Sequence, residues 1–182
     1  IKWDQANNFK LITDFPLLLQ IELNQTCNYK CPHCIIGNPD EMPKMYDEKQ
    51  NLNFEQYKKI IDEASEYECP SVSVQGENEP FLDKNYEDYL SYAHKKGVID
   101  IMTNTNGSAI TLKRSKKILD SGLTRLRFSL DAFTDETYKK VRVGAIDLDK
   151  VKRNIFNFLD LKEKGGYKLP VVGVSFCKLS KN

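Results

Sequence analysis

Three cysteines lie close together near the start of the chain, at positions 27, 31 and 34 of the run CNYKCPHC. Thiolates at this spacing on one loop can converge on a single metal centre. Iron–sulfur clusters are normally held by four cysteines, so three ligands to a four-iron cluster would leave one iron without a protein thiolate. An open coordination position is typical of a catalytic metal centre, and the open iron could chelate a small molecule.

A structural zinc site made of the three cysteines and His33 is the alternative. Zinc ligands often come as two short-spaced pairs separated by a longer stretch, whereas this chain has one compact group and no distant pair. The only other histidine, His94, falls in a predicted helix. The spacing therefore favours an iron–sulfur cluster and leaves zinc open.

The composition sets limits on the partners and the compartment. The chain has 182 residues and a net charge of +1, which predicts no nucleic-acid and no membrane partner. Residues Ile1–Leu11 are polar and carry no signal-peptide pattern. Five cysteines, three of them clustered, fit a disulfide framework poorly, so we expect a cytoplasmic protein. Cys69 and Cys177 stand alone, and we expect them to be small buried hydrophobic residues.

Strand-like and helix-like segments alternate along the chain. The predicted strands are Leu17–Leu23, Val72–Val74, Val98–Thr103, Leu123–Leu130 and Val171–Phe176. The predicted helices follow Asn53, span Tyr86–Lys96, follow Thr111, follow Thr134 and span Leu148–Lys164. A long loop, roughly Ile35 to Leu52, separates the cysteines from the first helix. This alternation predicts an α/β protein whose parallel sheet is built of right-handed βαβ units.

Polar and metal-binding residues follow the predicted strands. Parallel sheets of this kind bind ligands at the carboxyl ends of their strands. The candidate segments there are the cysteine run after strand one, Gln75–Pro80 after strand two, Asn104–Gly107 after strand three and Ser129–Asp131 at the end of strand four. The sequence therefore predicts that one face of the sheet holds the functional site.

Four motifs in order resemble those of the radical S-adenosylmethionine (radical SAM) superfamily. The cysteine run matches its CxxxCxxC signature, GENEPFL (76–82) resembles its GGEP stretch, TNTNG (103–107) its third-strand motif, and SLDAFTDETYKKVRVG (129–144) its fourth-strand segment. The last is most similar to members with a C-terminal SPASM domain. The resemblance implies a partial (β/α)6 TIM-like barrel with about five strands present. By this resemblance, residues 1–182 would form a radical SAM core domain that stops before the last barrel strand and a C-terminal SPASM domain.

The resemblance also implies cofactors and chemistry. Cys27, Cys31 and Cys34 would bind a 4Fe–4S cluster, and S-adenosylmethionine (SAM) would occupy the fourth iron. A reductant such as flavodoxin or ferredoxin would supply the electron that splits SAM into methionine and a 5′-deoxyadenosyl radical. That radical would abstract hydrogen from a peptide or a small-molecule substrate. The alternative is a non-catalytic metal module, either a structural zinc site or an iron–sulfur electron carrier.

The same resemblance implies which residues bind SAM. Gly76, Glu77, Asn78 and Glu79 match the stretch that holds the methionine amino group, and an ammonium group suits carbonyl and carboxylate acceptors. Asn78 departs from the family, which usually has glycine there and with it a wider choice of backbone conformation. Pro80 completes the stretch, and an ordinary polar turn is the alternative interpretation.

Further positions match residues around the rest of SAM. Ser129 and Asp131 match positions that bind the ribose hydroxyls or the methionine carboxylate. Arg142 matches an arginine that clamps this carboxylate, with a solvent-facing helix-end arginine as the alternative. His33 would stack on adenine or merely shape its loop.

The remaining candidates are Asn106 and Val174. Asn106, with Asn104, would hydrogen-bond near the site or simply form a turn. Val174, with Phe176, resembles positions that contact adenine through the backbone.

Overall fold

Five short parallel strands form one sheet in which the spatial order follows the chain order. The computed structural model describes residues 13–37, 51–180 and 182. The strands are β1 (Leu18–Gln20), β2 (Ser71–Ser73), β3 (Asp100–Thr105), β4 (Arg125–Ser129) and β5 (Val171–Ser175). Every neighbouring pair is parallel, with Leu19 opposite Val72 and Leu126 opposite Val172. The predicted α/β class is confirmed, and the unbroken strand order is that of a barrel wall.

Five α-helices connect or follow these strands. They are α1 (Phe54–Glu66), α2 (Tyr86–Lys95), α3 (Leu112–Asp120), α4 (Asp135–Val141) and α5 (Leu148–Lys164). The capping box predicted before α1 is present: the Asn53 side chain accepts from Gln56 N at 2.9 Å, and Gln56 accepts from Asn53 N at 3.0 Å. Thr111 and Thr134 cap α3 and α4 by a single bond each, accepting from Arg114 N and Thr137 N. The caps explain why the predicted helix starts agree with the structure.

The strands differ from their predicted bounds. The first is three residues long rather than seven, and Leu18 is 51 % exposed, so the expectation of a fully buried strand is wrong. β1 lies at an edge of the sheet, and only its Leu19 side packs against the core. The third strand starts later than predicted, because Gly97 turns the chain after α2 and Val98 N still donates to Ala93 O. It also ends two residues later, at Thr105. Asn104 therefore lies in the strand rather than in the turn after it.

One face of the sheet packs against the helices. Leu126 and Phe128 of β4 are fully buried on this side, and the rings of Phe128 and Phe158 meet edge to face at 6.3 Å. Tyr86 of α2 is buried as well, and its hydroxyl reaches Thr103 Oγ1 at 2.7 Å and the carbonyl of Val74. These contacts fix the ends of β2 and β3, where the predicted binding segments begin.

The remaining predictions concern the two lone cysteines, the polar start of the chain and the long loop. Cys69 is buried, as expected, but Cys177 is exposed because it follows β5 at the sheet edge. The polar start of the chain and most of the long loop, residues 38–50, lie outside the described residues. Within the described part, Asn51 forms an antiparallel bridge with Asn24. Among the helices of that part, none combines the length and apolar character needed to cross a membrane.

Candidate active site

The cysteine loop leaves β1 and folds back tightly on itself. Cys34 N donates to the carbonyl of Cys31 at 3.0 Å, and Gly37 N donates to that of Cys34 at 2.9 Å. A Cβ atom added at Gly37 would lie 2.0 Å from the Cys31 carbonyl oxygen, so only glycine fits there. Lys30 N donates to Val143 O at 2.8 Å and ties the loop to the segment after α4. The loop is thus fixed from both sides.

All three clustered cysteines open into one cleft of about 350 Å³ at the carboxyl ends of the strands. The cleft brings together most of the predicted binding residues. Its lining includes Cys27, Cys31, His33, Cys34, Gly76, Glu77, Asn78, Glu79, Asn106, Ser129 and Arg142. Asp131 and Val174 are not part of the lining. Sequence reasoning did not single out Gln20 and Tyr29, which line it too. The alternation of β1 was the available signal for Gln20, which points to the same side of the sheet as Leu18.

Glu79 organises the floor of the cleft. Its carboxylate is buried and accepts hydrogen bonds from Thr105 Oγ1 and Asn106 N, both at 2.6 Å, and from Phe81 N at 3.2 Å. Burial raises the pKa of this carboxyl above its ordinary value, and the three donors act in the opposite direction. Glu79 therefore joins the segment after β2 to the end of β3.

The neighbours of Glu79 are more accessible. The Cys34 thiol donates to Glu77 Oε2 at 3.3 Å, which places an exposed carboxylate beside the cysteines. A Cβ atom added at Gly76 would lie 2.4 Å from the Glu22 side chain, so a side chain there would collide with it. Asn78 does not have a positive φ, and its Oδ1 accepts from Gly76 N at 3.1 Å. Asparagine thus fits this position without the backbone freedom of glycine.

Arg142 and Asp131 form a buried ion pair next to the cysteines. Their side chains are 12 % and 2 % exposed. Arg142 Nη1 lies 3.8 Å from Cys31 Sγ, so the alternative of a solvent-facing arginine is wrong. Asp131 adopts a left-handed conformation with φ of 59°, and its Oδ1 accepts from Cys177 N at 2.7 Å. Asp131 lies behind Arg142 rather than on the cleft surface, and it fixes where the guanidinium points.

His33 lies next to the ion pair of Arg142 and Asp131. Its Nε2 is 3.4 Å from Asp131 Oδ2. Burial lowers the pKa of His33, Arg142 lowers it further, and Asp131 acts in the opposite direction. The imidazole is therefore neutral near pH 7 and can stack or accept a hydrogen bond.

Asn104 and Asn106 have different surroundings. Asn106 Nδ2 donates to Asn28 Oδ1 at 2.9 Å across the cleft, and Asn106 Oδ1 accepts from Ser108 N at 2.9 Å. Asn106 thus combines the predicted turn with a contact to the cysteine loop. Asn104 Oδ1 is buried and has no hydrogen-bond partner within the described residues. Val174 is 57 % exposed on β5, away from the cleft lining.

The three cysteines supply the thiol ligands that a four-iron cluster requires. Burial raises the pKa of Cys31 to about 11 and also raises those of Cys27 and Cys34, so the free thiols are protonated and metal binding must displace their protons. In the part of the chain that the structure describes, no three Cys, His, Asp or Glu side chains converge around one metal-ion position. Because a four-iron cluster binds each thiolate at a different iron, three thiols that line the same cleft fit such a cluster.

Replacing Glu79 with glutamine tests its structural role. The amide nitrogen of Glu79→Gln would face hydrogen-bond donors that now point at a carboxylate oxygen, leaving at least one buried donor unpaired. We expect the free energy of unfolding to fall by about 1–3 kcal/mol in urea titrations. Glu77→Gln is the matched control, since the Glu77 side chain is exposed and its loss should leave this free energy nearly unchanged. Equal effects of the two changes would contradict the role of Glu79.

Comparison with known proteins assigns the chain to a protein family. Residues 21–172 match the family model described as "Radical SAM superfamily". The chain is 27 % identical over 157 residues to the GTP 3′,8-cyclase of Desulforamulus reducens, covering 86 % of this chain and 46 % of that protein. It is 28 % identical over 149 residues to the Fe-coproporphyrin III synthase of Methanosarcina barkeri, covering 82 % and 35 %. The chain thus spans less than half the length of these relatives.

Solved structures share the fold. BtrN in complex with AdoMet and 2-DOIA superposes with a TM-score of 0.64 at 17 % identity, over 90 % of this chain and 58 % of that one. Native anSMEcpe with bound AdoMet and the Cp18Cys peptide gives a TM-score of 0.63 at 20 % identity, over 88 % and 42 %. The predicted partial barrel is confirmed by this likeness.

Proposed function

We propose, from the premise that this chain belongs to the radical SAM superfamily, that it is the barrel part of an enzyme that cleaves SAM reductively. Members of this superfamily use a 4Fe–4S cluster and SAM. The observation that carries the proposal is the convergence of Cys27, Cys31 and Cys34 with buried polar groups in one cleft. A 4Fe–4S cluster held by Cys27, Cys31 and Cys34 would, once reduced by an electron donor, supply the electron that splits SAM into methionine and a 5′-deoxyadenosyl radical.

The residues around the cysteines are suited to an amino acid and a nucleoside. We assign the methionine ammonium to the Gly76–Glu79 segment, which offers backbone carbonyls and the exposed Glu77 carboxylate. We assign the methionine carboxylate to Arg142, whose planar fork can donate to both oxygens and is held in place by Asp131. Ser129 would bond ribose, while neutral His33 and the backbone at Val174 would lie along adenine.

We propose that the radical abstracts hydrogen from a small molecule. The relatives with the most similar sequences include proteins named GTP 3′,8-cyclase and Fe-coproporphyrin III synthase, which favours a small molecule. A peptide is the second candidate, because a structural neighbour was crystallised with one. A cytoplasmic flavodoxin or ferredoxin would be the electron donor. The 129–144 segment supports a SPASM domain in the whole protein.

The proposal is tested by loading the protein with iron and sulfide without oxygen, and then adding SAM and a strong reductant. Formation of 5′-deoxyadenosine is the expected result. Protein that contains zinc but neither iron nor sulfide would support the structural zinc module instead. A cluster-loaded protein that forms no 5′-deoxyadenosine would support a simple electron carrier. Either result would overturn the proposed enzyme function.

A further inference from the structure

The sheet face opposite the helices is unusually polar next to the cleft. The side chains on this face, two residues apart along each strand or its extension, include Gln20, Ser73, Gln75, Asn104, Arg127, Ser129 and Ser175. Inward positions of a (β/α) barrel are more often filled by branched apolar residues. Ser73 is 2 % exposed, and neither its Oγ nor Asn104 Oδ1 has a hydrogen-bond partner among residues 13–37, 51–180 and 182. Buried polar groups of this kind need a hydrogen-bond partner, either an ordered water molecule or a polar ligand.

Two arginines on this face of β4 have opposite surroundings. Arg125, at the amino end of the strand, donates from Nε to Asp100 Oδ1 at 2.8 Å. Asp100 in turn accepts from Ser71 Oγ at 2.7 Å, which completes a local network. Arg127, one position closer to the cleft on the same face, forms no ion pair and no hydrogen bond from its side chain within the described ranges. Among the described residues, Asp100 thus neutralises Arg125, whereas the exposed guanidinium of Arg127 has no partner.

Arg127 is exposed and is not part of the cleft lining, but its neighbours Asn104 and Ser129 are. It is paired across the sheet with Asn104 on one side and Gly173 on the other. A Cβ atom at Gly173 would lie 3.7 Å from Arg127 Cγ, so the stem of the arginine extends across β5. Ser129 follows two residues later on the same face, about 7 Å along the strand. Asn104 and Ser129 both line the cleft that holds the cysteines.

We infer that Arg127 binds an oxyanion of the substrate, either a carboxylate or a phosphate. The guanidinium can donate two parallel hydrogen bonds to either group. Gln20, Gln75 and Asn104 supply amide groups that can bond hydroxyl, amide or carbonyl groups elsewhere on the same molecule. The inferred substrate is thus a polar anion, with its charged end on β4. This inference rests on the proposed function and names the substrate class of the same site.

The test uses two small anions as probes, inorganic triphosphate and the tricarboxylate tricarballylate. Their binding to the cluster-loaded protein with SAM is measured by anaerobic calorimetry. We expect one of them to bind, and Arg127→Gln to weaken that binding by about tenfold or more, because hydrogen bonds to a charged group are lost. Arg127→Lys keeps the positive charge but loses the two parallel donors of the guanidinium, so it should give an intermediate affinity. The probe that binds identifies the oxyanion as phosphate or carboxylate.

Arg153→Gln is the matched control, because Arg153 is an exposed arginine of α5 with no ion pair to a described residue and the charge change is the same. Equal weakening by R127Q and R153Q would overturn the inference, and so would failure of both anions to bind the unsubstituted protein. Formation of 5′-deoxyadenosine by the same unsubstituted preparation reports separately on the proposed function. If the protein cleaves SAM but binds the anion equally well with and without the Arg127 guanidinium, the inference about Arg127 is wrong and the proposed function stands.

Discussion

Replacing Cys31 with alanine is expected to remove most of the bound iron and to lower 5′-deoxyadenosine formation by at least about a hundredfold. Loss of an outer partner of a metal ligand already costs about 10–100-fold in affinity or activity, and loss of a ligand costs more. Cys27→Ala and Cys34→Ala should behave alike, since all three thiols line the same cleft. Iron and sulfide analysis after anaerobic reconstitution, followed by chromatography of the nucleoside product, measures both effects.

Cys177→Ser is the control for these three changes. Cys177 is exposed, follows β5 and contributes only its backbone N–H to Asp131. Serine keeps that N–H, so iron content and product should equal those of the unsubstituted protein. Full iron loading of the Cys31 variant, or equal losses in the Cys177 variant, would contradict the assignment of the three cysteines.

Replacing Arg142 with methionine is expected to lower the free energy of unfolding by about 3 kcal/mol. The substitution leaves the Asp131 carboxylate buried without its ionic partner, and breaking one side of a buried pair is strongly destabilising. The same change should weaken SAM binding, because Arg142 is the proposed partner of the methionine carboxylate. Urea unfolding and a SAM titration measure the two effects separately.

A double variant separates the structural effect from the binding effect. Arg142→Met combined with Asp131→Asn buries no unpaired charge, so much of the lost stability should return while SAM binding stays weak. Lys140→Met, which removes an exposed ion pair with Glu136 on the same helix, should leave stability unchanged. Equal stability of the Arg142 and Lys140 single variants would show that the buried pair does not hold this part of the site together.

Local sequence patterns were sufficient for the α/β class, the helix starts and the residues at the strand ends. The capping box of Asn53 and Gln56 is a short-range hydrogen-bond pattern, and it forms as predicted. The ends of strands were less predictable. β1 is an edge strand, and edge position depends on which strands pair rather than on the apolar run of Leu17–Leu23.

The sequence patterns did not predict contacts between segments that are distant along the chain. The carboxylate of Glu79 meets Thr105 and Asn106 only once β2 and β3 are paired, and the motif gives no sign of this role. Asp131 matched a SAM-contacting position but lies behind Arg142, since its left-handed backbone turns the carboxylate toward Cys177 N. The ion pair of Arg125 with Asp100 likewise forms only once β3 and β4 lie side by side.

We propose that the three cysteines hold a 4Fe–4S cluster whose fourth iron is left for SAM. Electron paramagnetic resonance of the dithionite-reduced protein, recorded before and after SAM is added, tests for this open iron. We predict the signal of a reduced four-iron cluster whose g values shift when SAM binds. A four-iron signal that SAM leaves unchanged, or protein that takes up zinc and gives no cluster signal, would contradict the claim.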